Sequence, residues 1–149
     1  MHNIKILDKL LKNELLATEA YQQALDKLRN GIGLASPNYI TPIYQEHKNA
    51  VSSLQAQIRQ QGGIPSEKLG AWKGTWAKMV IGGANLLGKE TALKTLQEGE
   101  KRGAEDYEEA LQNTELSSDM RSLIETKLLP TQQEHICTLD RLLDAEAAV

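Results

Sequence analysis

The sequence predicts an all-α protein, a single four-helix bundle over residues 1–149 built from two similar helical hairpins. Three observations carry that reading. Apolar residues recur at spacings of three and four along four stretches. No stretch sustains the alternation of period two that a half-buried strand requires. The chain also resembles itself, first half against second.

Composition sets the frame. The chain has 149 residues, one domain by the usual length relation and enough to bury a core. Hydrophobic residues make up 40% and charged residues 25%, a globular balance that argues against disorder. With four Tyr, two Trp and no Phe, the core must be built from Leu, Ile, Val and Ala.

The first helix spans Ile4 to Arg29, with Leu7, Leu10, Leu11, Ala17, Tyr21, Ala24, Leu25 and Leu28 on one face. Gly31 and Gly33 stop it. Either Ser36-Pro37 or Thr41-Pro42 caps the second helix, since proline is tolerated at the first helical position. That helix carries Ile43, His47, Ala50, Val51, Leu54 and Ile58 inward and ends at Gln61-Gly62-Gly63-Ile64-Pro65. Ser66 to Gly88 forms a crossover with a shorter amphipathic helix around Trp72, Trp76 and Met79.

The third helix runs from about Lys89 to Asn113, with Leu93, Leu96, Tyr107, Ala110 and Leu111 inward. Ser117, Ser118 and Asp119 offer caps for a fourth, which carries Leu123, Ile124, Leu128, His135, Leu139, Leu142 and Leu143. Pro130 lies inside it. The periodicity resumes in register beyond the proline, which predicts a bend and not a break.

The internal repeat locates the chemistry. Glu14 precedes Tyr21 by seven residues in ELLATEAYQQAL, and Glu100 precedes Tyr107 by seven in EKRGAEDYEEAL. Five of the twelve positions match in register. The second and fourth helices carry Gln45-Glu46-His47 and Gln133-Glu134-His135. On the helical stripes, Glu14, His47, Glu100 and His135 all fall on the inward face. Glu19 and Glu105 fall about 100° or more off it and are solvated or flanking. Buried carboxylates must be paired or neutralised. Hydrogen bonds to imidazole would do this, and so would a divalent metal held by carboxylate oxygens and imidazole nitrogens together.

On these motifs the chain resembles the ferritin-like superfamily. Asn13-Glu14-Leu15 through Tyr21 is similar to the first helix of bacterioferritins, and Gln133-Glu134-His135-Ile136 to their last ligand helix. Gly62-Gly63-Ile64-Pro65 resembles small uncharacterised bacterial ferritin-like proteins, and the crossover between helices two and three also fits. The resemblance implies a metal centre of iron, di-iron in form, or of manganese, and a part in handling iron, oxygen or peroxide. It implies Glu14, His47, Glu100 and His135 as ligands and Tyr21 and Tyr107 as donors behind them.

One departure stands out. Metal-binding members carry Glu-x-x-His on the second and fourth helices, whereas here Tyr44 and Gln132 stand three residues before the histidines. Those two become surrounding residues, and Glu46 and Glu134 would have to come in from the flank in place of the missing bridging carboxylates. The other readings are a bundle that kept the fold and lost the metal, and an interaction module docking through its tryptophans.

Several classes are excluded. The formal charge of −3 and scattered lysines give no basic stripe for nucleic acid. No apolar run approaches the ~20 residues that span a bilayer, and the start is not a signal peptide; a cytoplasmic location is expected. There is no nucleophilic triad, phosphate loop or zinc-finger spacing. Cys137, the single cysteine, reads as a partly buried structural thiol. The expected partners are metal ions and a second copy in a homodimer.

Overall fold

The computed structural model describes residues 2–29, 37–66 and 89–147. Within them the chain forms four helical segments and no strand. The crossover helix expected around Trp72 and Trp76, the Gly31/Gly33 stop and the Leu28 side chain lie outside the described residues.

Helix α1 spans His2–Arg29 and α2 spans Pro37–Gln60. Of the two possible starts of α2, the chain uses Pro37, and Pro42 sits inside the helix. Helix α3 spans Lys89–Leu111. Helix α4 begins as Ser118–Leu123, passes through a π-helical turn at Ile124–Leu128 and continues as Leu129–Ala147. None of the described helices is long and apolar enough to cross a membrane.

The helix ends follow from local chemistry. The Ser117 hydroxyl accepts from the Met120 N–H and caps α4. Two α2 carbonyls are capped by the glycine pair beyond it: Gly62 N–H donates to Arg59 O at 3.0 Å and Gly63 N–H to Ile58 O at 2.9 Å. This 6→1 and 5→2 pattern needs a left-handed residue, and Gly62 supplies it with φ +83°. The Arg121 guanidinium donates to the Leu111 and Asn113 carbonyls at 2.8 and 2.9 Å, closing the end of α3 against the start of α4.

The proline of α4 is absorbed by an altered helical turn. Pro130 has no N–H to give, and the π-helical turn directly before it carries the Leu129 N–H back to the Ile124 carbonyl, five residues away. The apolar face survives this: Met120, Ile124, Leu128 and Leu139 are all buried.

α1 packs most closely with α2, and α3 with α4, giving the two expected hairpins. Their inner faces make two apolar clusters. One gathers Leu16, Tyr21, Leu25, Ile40, Ile43, Leu93, Leu96 and Leu139. The other gathers Leu7, Leu11, Leu54, Ile58, Met120, Ile124 and Leu128.

Along each helix a buried glutamate or histidine stands between the two clusters, joined on α4 by Gln132. Glu14 lies between Leu11 and Leu16, His47 between Ile43 and Ala50, Glu100 between Leu96 and Ala104, and His135 between Leu128 and Leu139. All four are buried. The bundle therefore carries a polar layer between two apolar ones, to which every helix contributes.

Candidate metal centre

The layer is built around the Glu100 carboxylate, which is fully buried. Its Oε1 faces His47 Nε2 at 2.5 Å, and its Oε2 faces His135 Nδ1 at 3.3 Å. The other nitrogen of each imidazole faces a second glutamate: His47 Nδ1 lies 2.6 Å from Glu14 Oε2, and His135 Nε2 lies 3.1 Å from Glu46 Oε1. The two imidazoles are 4.8 Å apart between ring centres, and Tyr21 stacks on His47.

The tyrosines complete the carboxylates crosswise. Tyr21 on α1 donates to Glu100 on α3 at 2.7 Å, and Tyr107 on α3 donates to Glu14 on α1 at 2.6 Å. Burial, then the neighbouring Glu100 for Tyr21 and Glu14 for Tyr107, push both hydroxyls well above their ordinary range. Both tyrosines stay protonated donors.

Electrostatics fix the protonation of His47. Burial disfavours its charge, but the Glu100 and Glu14 carboxylates outweigh that and raise its pKa to about 10. At neutral pH it is an imidazolium that donates from both nitrogens. The same partnership acts on Glu100. Burial works against its charge, while the His47 charge and the hydrogen bonds from His135 and His47 hold its carboxyl well below the usual carboxylate range.

The residues singled out in the sequence separate into groups. Glu14, His47, Glu100 and His135 meet in the layer, with Tyr21 and Tyr107 behind them. Glu46 is exposed, its side chain 46% accessible, yet it reaches His135. Glu134 is exposed and is not among the residues that line the layer. Tyr44 does not serve the site either: its hydroxyl donates to Gln22 on α1 at 2.6 Å. Gln132 is buried and donates to the Glu100 backbone carbonyl at 3.1 Å. Glu19 and Glu105 stay off the core, accepting from Gln23 and pairing with Arg102 respectively. Cys137 is exposed and not partly buried. Two residues past His135 on a helix is about 200° of rotation, the far side from the core.

Two features of the site have no counterpart in the sequence reading. Gly103 lets Gln132 lie flat against α3, since a Cβ there would overlap the Gln132 amide nitrogen. Its only signal was a glycine in a helix interior on the inward stripe. Beside Glu14, Asn13 donates to the buried Asp106 at 2.7 Å, a contact that nothing in the repeat announces.

As a metal centre, the strongest donor set is His47, Glu100 and His135. One ligand atom from each lies within 4.8 Å of the others, and all three residues are buried. Imidazole nitrogen with carboxylate oxygen suits first-row transition metals such as iron, manganese or zinc. The set fits one ion. The bridging carboxylates of a two-metal centre have no equivalents at 44 and 132, where one side chain is committed to Gln22 and the other to a backbone carbonyl.

Comparison with known proteins agrees with the architecture. A crystal structure of ferritin like, diiron-carboxylate proteins from Bacillus anthracis str. Ames superposes with a TM-score of 0.67 at 16% identity, over 96% of this chain and 99% of that one. At that identity the likeness shows the fold, which is ferritin-like. No curated protein matches. Residues 2–113, which carry Glu14, His47 and Glu100, match the family described as "Domain of unknown function (DUF2383)". That match covers three quarters of the chain, and the chain belongs to this family.

Proposed function

We propose that this protein binds one first-row transition-metal ion, iron or manganese, at Glu100, His47 and His135, and acts in the handling of iron, oxygen or peroxide. The observation that carries this reading is the convergence of those three buried donors. The Glu100 oxygens already face one nitrogen of each imidazole, which is where an ion would be held.

In this arrangement Glu14 and Glu46 hold the outer nitrogens of His47 and His135. Carboxylates in that position fix the ring orientation and tautomer of a metal-bound histidine and raise its basicity. Tyr21 and Tyr107 neutralise part of the carboxylate charge and block rotation of Glu100 and Glu14. The two apolar clusters keep bulk water from the layer on both sides. A redox-active ion held there would supply electron exchange with oxygen or peroxide. The relative from Bacillus anthracis is described as a diiron-carboxylate protein, which supports the metal reading in kind but not in ion number.

The test is metal content after anaerobic incubation with ferrous or manganous ion and desalting. About one ion per chain is expected, lost in Glu100→Ala and in His135→Ala and weakened by about ten- to a hundredfold in Glu14→Gln. Two ions per chain, lost in a Glu14→Ala/Glu100→Ala protein, would make Glu14 a ligand and restore a di-iron centre.

A second reading has its own support. Every carboxylate and imidazole of the layer already has a partner, and among the described residues the one buried side-chain atom without a hydrogen bond is Asn3 Oδ1. A bundle that kept the fold and lost the metal would look like this too. It requires that no ion be retained by the wild-type protein under those conditions.

A further inference from the structure

A cavity of about 60 Å³ opens between α2 and α4 and reaches the polar layer. Its floor includes His47 and His135, and its outer wall is formed by Glu46, Asn49, Ser53, Lys127 and Thr131. By the usual allowance of about 10–15 Å³ of accessible volume per water, it has room for about four waters.

The hydrogen-bonding capacity left in that wall is rich in donors, one of them charged. The two carboxylates that touch the cavity are already engaged, Glu14 by His47 and Tyr107 and Glu46 by His135. Asn49 accepts through its carbonyl oxygen from Gln45, which leaves its amide N–H groups. The Lys127 ammonium and the Ser53 and Thr131 hydroxyls have no partner among the described residues. Four free donors around one small opening describe a site for an acceptor.

Lys127 is an exposed residue of the cavity lining. It lies in the π-helical turn that precedes Pro130, next to buried Leu128. Such turns displace side chains from the positions a regular α-helix would give them.

We infer that this cavity binds a small anion, a carboxylate or another anion of about three heavy atoms, beside the metal and in contact with Lys127, Ser53 and Thr131. This rests on the metal reading above. Without an ion, the Glu14, Glu46 and Glu100 carboxylates surround the two imidazoles and repel anions. A divalent ion held by His47, Glu100 and His135 would offset that repulsion, and Lys127 on the cavity lining adds the attraction that selects an anion over water. Metal and anion therefore bind in that order, and each strengthens the other.

The test uses cobalt(II)-loaded protein, with visible absorption followed as formate or azide is titrated in. A saturable spectral change is expected in the wild type. The Lys127→Met/Thr131→Val protein should bind either anion about tenfold more weakly, the loss of a hydrogen bond to a charged group. Ser53→Leu, which fills the cavity, should abolish the change. Bound cobalt per chain should stay the same in all three. If cobalt binds but neither anion alters the spectrum, or the variants bind the anions as well as the wild type, the anion site is wrong and the metal reading stands. Equal anion binding by metal-free protein, read as a thermal shift, also overturns it. A wild type that takes up no cobalt removes both.

Discussion

Tyr107 and Glu14 join the two hairpins at the level of the polar layer, hydroxyl to carboxylate at 2.6 Å, and Tyr21 and Glu100 repeat the bond in the opposite sense. The pseudo-twofold symmetry of the sequence repeat thus becomes a physical cross-brace. Each glutamate sits seven residues before the tyrosine of its own helix, and each tyrosine serves the glutamate of the other. Both carboxylates are buried, so a lost hydroxyl leaves each short of a donor inside the core.

Tyr21→Phe and Tyr107→Phe should therefore each destabilise the metal-free protein by about 1–3 kcal/mol, the range for leaving a buried acceptor short of a donor. Urea unfolding measures this. The two changes act on one connected network, so the double variant should depart from the sum of the singles. Strict additivity with each loss under about 0.5 kcal/mol would mean that the cross-brace does not hold the hairpins.

Gly103 makes a sharper prediction because its sign reverses. Glycine in a helix interior costs about 1 kcal/mol relative to alanine. Here Gly103→Ala should nonetheless destabilise, by about 1–3 kcal/mol, since the new methyl meets the Gln132 carboxamide, which is held against the Glu100 carbonyl. In a Gln132→Ala background the obstruction is gone, and the same change should stabilise by up to about 1 kcal/mol. Thermal denaturation of the four proteins is the measurement. Stabilisation in both backgrounds would show that Gln132 moves aside without cost.

How far the site was legible before the structure depends on what kind of geometry each residue uses. Glu14, His47, Glu100 and His135 could be placed from the sequence because inward direction on a helix follows from spacing alone. Their common height follows too, since each lies between apolar residues of its own stripe. Partner choice does not follow from spacing. Tyr21 was recognisable as a donor but not as a donor to the other hairpin. Tyr44, at the expected place of a bridging carboxylate, turns to Gln22, because a side chain at the edge of the stripe can satisfy itself on the neighbouring helix. Glu46, off the stripe, still reaches His135, since its long side chain spans from an exposed position to a buried one. The π-helical turn that holds Lys127 was hidden because Pro130 is read as a bend, whereas the helix takes up the missing N–H in that turn.

The pH dependence of the metal-free protein follows from the same pairs. His47 has a pKa of about 10 when folded against 6.5 unfolded, so its contribution is fully present below 6.5 and is lost as pH rises towards 10. Glu100 moves the other way, to about 2 from 4.5. Its contribution is present above 4.5 and is lost as pH falls towards 2. The melting temperature should thus be highest between about pH 4.5 and 6.5 and should decline on both sides. A melting temperature that keeps rising from pH 6.5 to 9 would contradict the imidazolium between Glu14 and Glu100.

Metal uptake should carry that proton away. At pH 7 His47 holds protons on both nitrogens, and one of them must leave before Nε2 can become a ligand. The closest atoms of His47 and Glu100 are the two that now share a proton, and an ion held by both would take its place. Binding should therefore release about one proton per ion, and affinity should fall as pH falls. Calorimetric titration with manganous ion in two buffers of different ionisation enthalpy gives the count directly, as the slope of observed enthalpy against buffer enthalpy. In His47→Gln, residual binding should be weaker and should release fewer protons. Tight binding by the wild type with no proton release would place the ion away from His47, and the donor set would then have to be sought elsewhere in the chain.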